Sequence, residues 1–104
     1  MSNIVPKGWE KEIAQRETRV AEALRQAGAD AILISSNANL YYITGRVIAG
    51  YVLVTAQGEV KHFVRRPVEL EGDNVAYIRK PEQIAEMLGS VPGTLALEYD
   101  MSYA

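Results

Sequence analysis

The 104-residue chain weighs 11.5 kDa, and its 48% hydrophobic and 23% charged residues are typical of one globular domain rather than of a disordered segment. A net charge of −2 disfavours a dedicated nucleic-acid-binding domain, because such domains are usually strongly basic. With no cysteine and a single histidine, His62, the sequence excludes a disulfide, a zinc ribbon and a site with two histidine ligands.

The first predicted element is an amphipathic helix that follows a lead-in over residues 1–8. From Trp9 onward, apolar residues recur at helical spacing, at Ile13, Val20, Leu24 and Ala27. Gly28 suits the left-handed residue that commonly follows a helix. We therefore expect a helix of about 18 residues.

A buried strand is predicted over 31–34, because a short apolar run follows the helix directly. Residues 35–39 have turn and cap composition. The next segment, Leu40–Thr44, is short, aromatic and β-branched and is stopped by Gly45. It is predicted to be either a strand or one tight helical turn.

The rest of the chain alternates strands with one helix. Strands are predicted over 51–55, 59–65, 75–79 and 94–98, and the first two form a hairpin in which Gly58 takes a positive φ. A helix over 81–89 carries a stripe of Ile84, Met87 and Leu88, and Asp100 or Ser102 would cap another. Helices on both sides of a hairpin predict a mixed sheet in an α/β fold.

Of three common phosphate-binding or nucleophile motifs, one is incomplete and two are absent. Gly45 and Gly50 have phosphate-loop spacing, but Tyr51 and Val52 replace the required Lys and Ser/Thr. No G-x-G-x-x-G or G-x-S-x-G pattern occurs, so Ser35 is interpreted as a turn residue. No P-loop, dinucleotide fingerprint or hydrolase elbow is therefore predicted.

The densest unusual segment contains Tyr41, Tyr42 and Arg46. Adjacent tyrosines on a loop-like stretch would present amphipathic faces with hydroxyl groups, and Arg46 beside Gly45 would offer a two-pronged grip on a carboxylate. The simpler interpretation is that the tyrosines pack this turn on the sheet while Arg46 is exposed. The residues favour packing for the tyrosines and leave Arg46 open.

A basic concentration is predicted across neighbouring strands, formed by Lys61, His62, Arg65, Arg66, Arg79 and Lys80. We expect a solvated face balanced by Glu69, Glu71 and Asp73; the alternative is a docking surface for an acidic partner. His62 itself, as a lone strand histidine, is expected to be solvated or hydrogen-bonded.

The chain has no apolar run near the ~20 residues of a membrane span, and residues 1–8 lack the apolar core of a signal peptide. We therefore expect a cytoplasmic protein with neither a membrane nor a nucleic acid as partner.

Three segments carry ordered motifs: Gly28–Ser35 reads G-x-D-A-x-L-I-S, Asn39–Gly45 reads N-x-x-Y-[LI]-[ST]-G, and Leu53–Gly58 reads L-V-T-x-x-G. Their order and spacing resemble the N-terminal domain of the creatinase/prolidase family of metallopeptidases. The sequence departs from many members at Arg46, which stands where they place an aromatic residue.

The resemblance implies one three-layer α/β domain over residues 1–104, with a mixed sheet, flanking helices and ribonuclease-H-like topology. It implies no catalytic or metal-binding residue here. In the family a separate C-terminal pita-bread domain binds two divalent metal ions (Mn, Zn or Co) and cleaves peptides, typically before proline. We expect this chain to be the front part of such a protein, truncated at its C-terminus.

The resemblance further implies a partner catalytic domain, a homodimer, and an N-terminal domain that narrows the active-site entrance of an Xaa-Pro aminopeptidase or dipeptidase. Tyr41, Tyr42 and Arg46 are the expected substrate-binding or domain-interface residues. Two alternatives stay open: a stand-alone protein-binding module of the same fold, or the N-terminal domain of a creatinase-like amidinohydrolase.

Overall fold

The computed structural model describes residues 5–66, 70, 72, 74–80, 82–84 and 95–96. The helices and strands in these parts of the chain are, in order, α1 (Glu10–Ala27), β1 (Ala31–Ile34), α2 (Asn37–Thr44), β2 (Ala49–Thr55), β3 (Val60–Arg66), β4 (Val75–Tyr77) and β5 (Leu95–Ala96). Residues 82–84 are also helical.

Helix α1 has the predicted length of 18 residues and the predicted end. Gly28, at φ 72°, donates its N–H to the carbonyl of Arg25, and the next residue donates to Leu24, which satisfies the last carbonyls of the helix. Its buried stripe differs at one position from the prediction, because Ala21 is buried while Ala27 is exposed.

The five strands form one mixed sheet in the order β4-β3-β2-β1-β5. Strand β2 runs antiparallel to both β1 and β3, whereas β5 is parallel to β1 and β4 is parallel to β3. An antiparallel meander followed by a strand that returns parallel beside β1 gives the ribonuclease-H-like arrangement that was expected.

Side-chain alternation along the strands separates two cores, one on each face of the sheet. On the face of α1 and α2, the strands contribute Ile32, Val52, Val54 and Val64. On the opposite face, Leu53 and Phe63 pack with Ile84 of the helical residues 82–84. Helices therefore cover both faces, which confirms the predicted three-layer unit.

The ambiguous segment after β1 is a helix, which settles the open choice at Leu40–Thr44. Helix α2 begins earlier than predicted, because the Ser36 hydroxyl caps it by accepting from the N–H of Asn39. Gly45, at φ 71°, ends it by donating to the carbonyl of Tyr41 at 2.7 Å.

The strand bounds shift slightly from the predicted ones. Strand β2 begins at Ala49, β3 extends to Arg66, and β4 ends at Tyr77, so Arg79 lies beyond its strand. Gly58 has the expected positive φ, at 90°. Predictions at 67–69, 71, 73, 81, 85–94 and 97–104, including the acidic residues opposite the basic concentration, lie outside the described residues.

Candidate functional site

Tyr41 and Tyr42 lie on α2 rather than on a loop, so they point in different directions. The side chain of Tyr41 is 51% exposed, whereas Tyr42 is half-buried and packs toward α1. The two tyrosines therefore form no common aromatic face. Only Tyr41 presents its ring to solvent.

Arg16 of α1 contacts both α2 and Trp9, the residue immediately before α1. Its guanidinium carbon lies 4.9 Å from the ring centre of Tyr42 and 5.6 Å from that of Trp9, and Nη1 donates to the carbonyl of Tyr42 at 2.8 Å. Glu12, one turn earlier, accepts from Nε at 3.2 Å. A planar cation between two rings makes favourable electrostatic contacts with both.

A second arginine of α1 contacts the same tyrosine. A side-chain hydrogen bond with Tyr42 raises the pKa of Arg19 above its ordinary value. Tyr42 is thus held by its ring, its carbonyl and its hydroxyl, which favours an anchoring role for this side chain over a ligand-binding one.

Arg46 follows a fixed turn. The buried hydroxyl of Thr44 lies 2.6 Å from the carbonyl of Leu40 and accepts from the N–H of Arg46 at 3.1 Å. A Cβ at Gly45 would lie 3.3 Å from Pro6 Cδ, so the lead-in closes against this turn. The backbone of Arg46 is therefore held in place beside Tyr41.

Val47 and Trp9 complete this surface, and sequence reasoning did not identify either of them. Val47 is 79% exposed and Trp9 is 44% exposed, although both are apolar. We call Trp9, Tyr41, Arg46 and Val47 the α2 surface. The only signal in the sequence was that each is an apolar residue next to a predicted element or motif. Whether such a side chain is exposed depends on where α1 begins and where α2 ends.

Two clefts lie along one end of the sheet and share Arg65. The first, about 210 Å³, has side chains from the start of α2 and the start of β2, among them Asn37 and Tyr51. The second, about 380 Å³, is lined by Tyr77, Ile78, Arg79 and Gln83 as well as Arg65. Each cleft thus has one tyrosine, Tyr51 in the first and Tyr77 in the second, and Arg65 lies between them.

The imidazole ring of His62 is buried and makes no hydrogen bond to the described residues, so the expectation of a solvated or hydrogen-bonded ring was wrong. It is 2% exposed on the α1 side of the sheet, opposite Val52, and neither ring nitrogen has a partner among the described residues. Burial lowers the pKa of His62 to about 4, and the nearby backbone of Asn74 opposes this shift without reaching hydrogen-bond geometry. His62 is therefore a neutral core residue and does not belong to the basic concentration.

Neither a metal site nor a membrane span is found in the part of the chain that the structure describes. No three His, Asp or Glu side chains there come close enough to hold a metal ion. None of the described helices combines the length and apolar character needed to cross a bilayer.

Replacing Arg16 with Ala is expected to lower the free energy of unfolding by about 1–2 kcal/mol, because both ring contacts and the bond to the Tyr42 carbonyl are lost. Trp9 is the sole tryptophan, so its emission should shift to longer wavelength as the cation leaves its ring. Chemical denaturation followed by tryptophan fluorescence measures both effects. Lys11→Ala, on the exposed side of α1, is the control, and an equal change in both variants would contradict the contact.

Comparison with known proteins adds a family to this fold. The family model described as Creatinase/Prolidase N-terminal domain matches residues 16–104. Among solved structures, the chain is similar to the aminopeptidase P, an Xaa-Pro aminopeptidase, of Streptococcus thermophilus, with a TM-score of 0.64 and 18% identity over 88% of this chain and 78% of that chain. A search of curated proteins gave no match. Since the family model covers most of the chain, the protein belongs to the creatinase/prolidase N-terminal domain family.

Proposed function

We propose that this domain is the non-catalytic N-terminal domain of a metal-dependent Xaa-Pro aminopeptidase or dipeptidase, in which it shapes the active-site entrance and supports dimerisation. The observation that carries the proposal is the family match over residues 16–104. The similarity in fold to an aminopeptidase P supports the same parent class.

In this proposal the catalytic chemistry belongs to a separate domain. Activating water with two metal ions needs several carboxylate and histidine ligands around one point. The described residues offer no such group, so we derive no catalytic step within this chain. The pair of divalent ions, Mn, Zn or Co, would be bound by a catalytic domain.

The α2 surface is the part of this domain that we place at the entrance. Tyr41 offers an exposed amphipathic ring, Val47 an exposed apolar side chain, and Arg46 a guanidinium on a fixed turn. In this position Arg46 pairs with a substrate carboxylate or with an acidic group of the catalytic domain. A wall of this kind admits a free chain end and so restricts the enzyme to short peptides.

The mass of the native gene product tests whether a catalytic domain accompanies this one. An antibody raised against the chain should detect a band several times larger than 11.5 kDa in source cells. A band at 11.5 kDa would contradict the peptidase proposal and favour the stand-alone binding module. Activity of the larger protein on Xaa-Pro peptides, but not on creatine, would separate a peptidase from the amidinohydrolase alternative.

In the full-length protein, Arg46→Ala is expected to lower kcat/KM for short Xaa-Pro peptides by about 10–100-fold, the effect of losing one charge-assisted hydrogen bond. Steady-state kinetics with a peptide that has a free carboxylate and with its amidated form distinguishes the two partners proposed for Arg46. If Arg46 pairs with the substrate, the effect of Arg46→Ala disappears with the amidated peptide; if it pairs with the catalytic domain, the effect remains. Lys11→Ala serves as the control. Unchanged kcat and KM in Arg46→Ala would exclude the role of Arg46.

A further inference from the structure

We propose that one end of the sheet binds an extended acidic segment of a partner protein. The surface consists of Arg65, Arg66, Arg79 and Lys80, and we call it the basic end. This inference does not depend on whether the parent protein is a peptidase, because it concerns a different part of the domain from the α2 surface.

The parallel pairing of β3 with β4 brings the four cations together. Val64 pairs with Tyr77, and Ile78 continues the ladder by donating to the carbonyl of Val64 at 3.0 Å. The residues that follow these partners, Arg65 and Arg66 at the end of β3 and Arg79 after β4, therefore lie at the same end of the sheet. The carboxyl ends of neighbouring parallel strands are a common place for ligands in α/β sheets.

A β-bulge directs Arg65 out of the regular ladder. Ala49 pairs with Arg66 and Gly50 pairs with Val64, so Arg65 is the additional residue on β3. Bulges re-aim a side chain and are frequent beside functional sites. Here the bulged residue is the one that lines both clefts.

No ion pair is found at the basic end among the described residues. Its four cationic residues are exposed, Glu82 lies two residues after Lys80 without pairing with it, and the ion pairs of the described residues join Arg16 to Glu12 and Arg25 to Glu22 on α1. Four neighbouring positive charges repel one another, so an anionic partner that pairs with them is bound favourably. This charge distribution favours a ligand with several carboxylates.

The two clefts fit an extended ligand better than a compact one. They lie side by side across the strand ends, from Asn37 at the start of α2 to Gln83, with Arg65 between them. Neighbouring strands are about 4.8 Å apart, so a groove that crosses several strand ends is as long as several residues of an extended peptide ligand. The rings of Tyr51 and Tyr77 in the two clefts suit apolar side chains that alternate with the carboxylates.

The overall charge favours an acidic protein segment over nucleic acid. The basic end and Lys61 hold five of the eleven Lys and Arg residues, yet the chain has a net charge of −2. The remainder of the chain is therefore net negative and repels a long phosphate backbone that extends beyond the basic end. A short acidic segment meets only the cations.

Fluorescence anisotropy with a labelled peptide in which Glu and Leu alternate tests the proposal. The wild-type chain should bind it with an affinity that falls steeply with salt, and Arg65→Glu/Arg79→Glu should weaken binding at least ~10-fold. Lys7→Glu/Lys11→Glu, which changes the net charge equally at exposed positions near the N-terminus, should bind as wild type does. A peptide in which Lys and Leu alternate should bind the Arg65→Glu/Arg79→Glu variant and not the wild type.

Circular dichroism tests whether each variant is folded. If Arg65→Glu/Arg79→Glu unfolds, the neutral variant Arg65→Gln/Arg79→Gln takes its place in the binding measurement. Equal weakening in the Lys7/Lys11 variant would overturn the proposal, because only net charge would then matter. Tighter binding of a DNA or RNA oligonucleotide than of the acidic peptide would overturn it in favour of nucleic acid.

Discussion

Lowering the pH from 7 to 4 is expected to remove about 3 kcal/mol from the free energy of unfolding through His62 alone. The pKa of His62 falls from 6.5 to about 4 on folding because the ring is buried without a hydrogen-bond partner among the described residues. Below 6.5 the unfolded chain takes up a proton that the folded chain cannot accept. Stability is therefore complete above pH 6.5 and declines as the pH falls toward 4.

Urea denaturation at several pH values measures this decline, and His62→Leu is the informative variant. Leucine fills a similar space without ring nitrogens, so the variant should gain about 1–2 kcal/mol at pH 7 and lose most of the pH dependence between 6.5 and 4. Identical pH profiles for the two proteins would contradict a neutral, unpartnered His62.

The titration of Glu17 changes stability with pH in the opposite direction to that of His62, so the experiment has to separate the two. Burial raises the pKa of its carboxyl, so its contribution to stability is present at low pH and is lost as the pH rises through that raised value. Comparing His62→Leu with its parent in a Glu17→Gln background separates the two titrations.

Adding one methyl group at Gly50 is expected to destabilise the domain by on the order of 3 kcal/mol, which lowers Tm by roughly 10–20 °C. A Cβ on Gly50 would lie 2.2 Å from the backbone oxygen of Phe63, and a strand backbone cannot yield as a flexible side chain can. Thermal unfolding of Gly50→Ala followed by circular dichroism measures the effect. The bulge at Arg65 requires this close approach of the two strands.

Gly58→Ala is the matched control for Gly50→Ala. Gly58 also has a positive φ, at 90°, but a Cβ there would meet nothing within 4 Å. Its substitution should therefore cost only the strain of a left-handed residue, about 1–2 kcal/mol. Equal losses at the two positions would show that conformation, rather than the contact with Phe63, determines the result.

Periodicity identified α1 because this helix buries one stripe. A continuous apolar run identified β1, which is buried on both faces, and the hairpin signal with Gly58 identified β2 and β3. Helix α2 escaped the same argument because it is only two turns long. Its buried residues, Leu40, Ile43 and Thr44, have the spacing of one helical face, but a single turn of that pattern beside two tyrosines is equally compatible with a short strand. Its bounding signals were nevertheless in the sequence. Ser36 is a helix-capping residue type, and Gly45 suits the left-handed end.

The environment of His62 was only partly predictable. Its strand alternates so that Val60, His62 and Val64 share a face, and the two valines indicate that this face is buried. Whether a buried ring finds a partner depends on residues brought near from other elements, and local sequence does not determine that. The role proposed for Arg46 has the same limit, because the groups proposed to pair with it lie outside this chain.

The short strand β4 also affects how the sheet resists aggregation. An exposed sheet edge offers unpaired backbone groups to any other chain that can extend the ladder, and proteins limit this hazard with short edge strands and nearby charges. Strand β4 has three residues, and Arg79 and Lys80 follow it almost at once. A strand that adds to this edge gains few hydrogen bonds and meets two cations, so uncharged β-rich chains are kept away from it. The same two residues that we assign to acidic partners thus disfavour growth of the sheet beyond β4, the outermost of the described strands on this side.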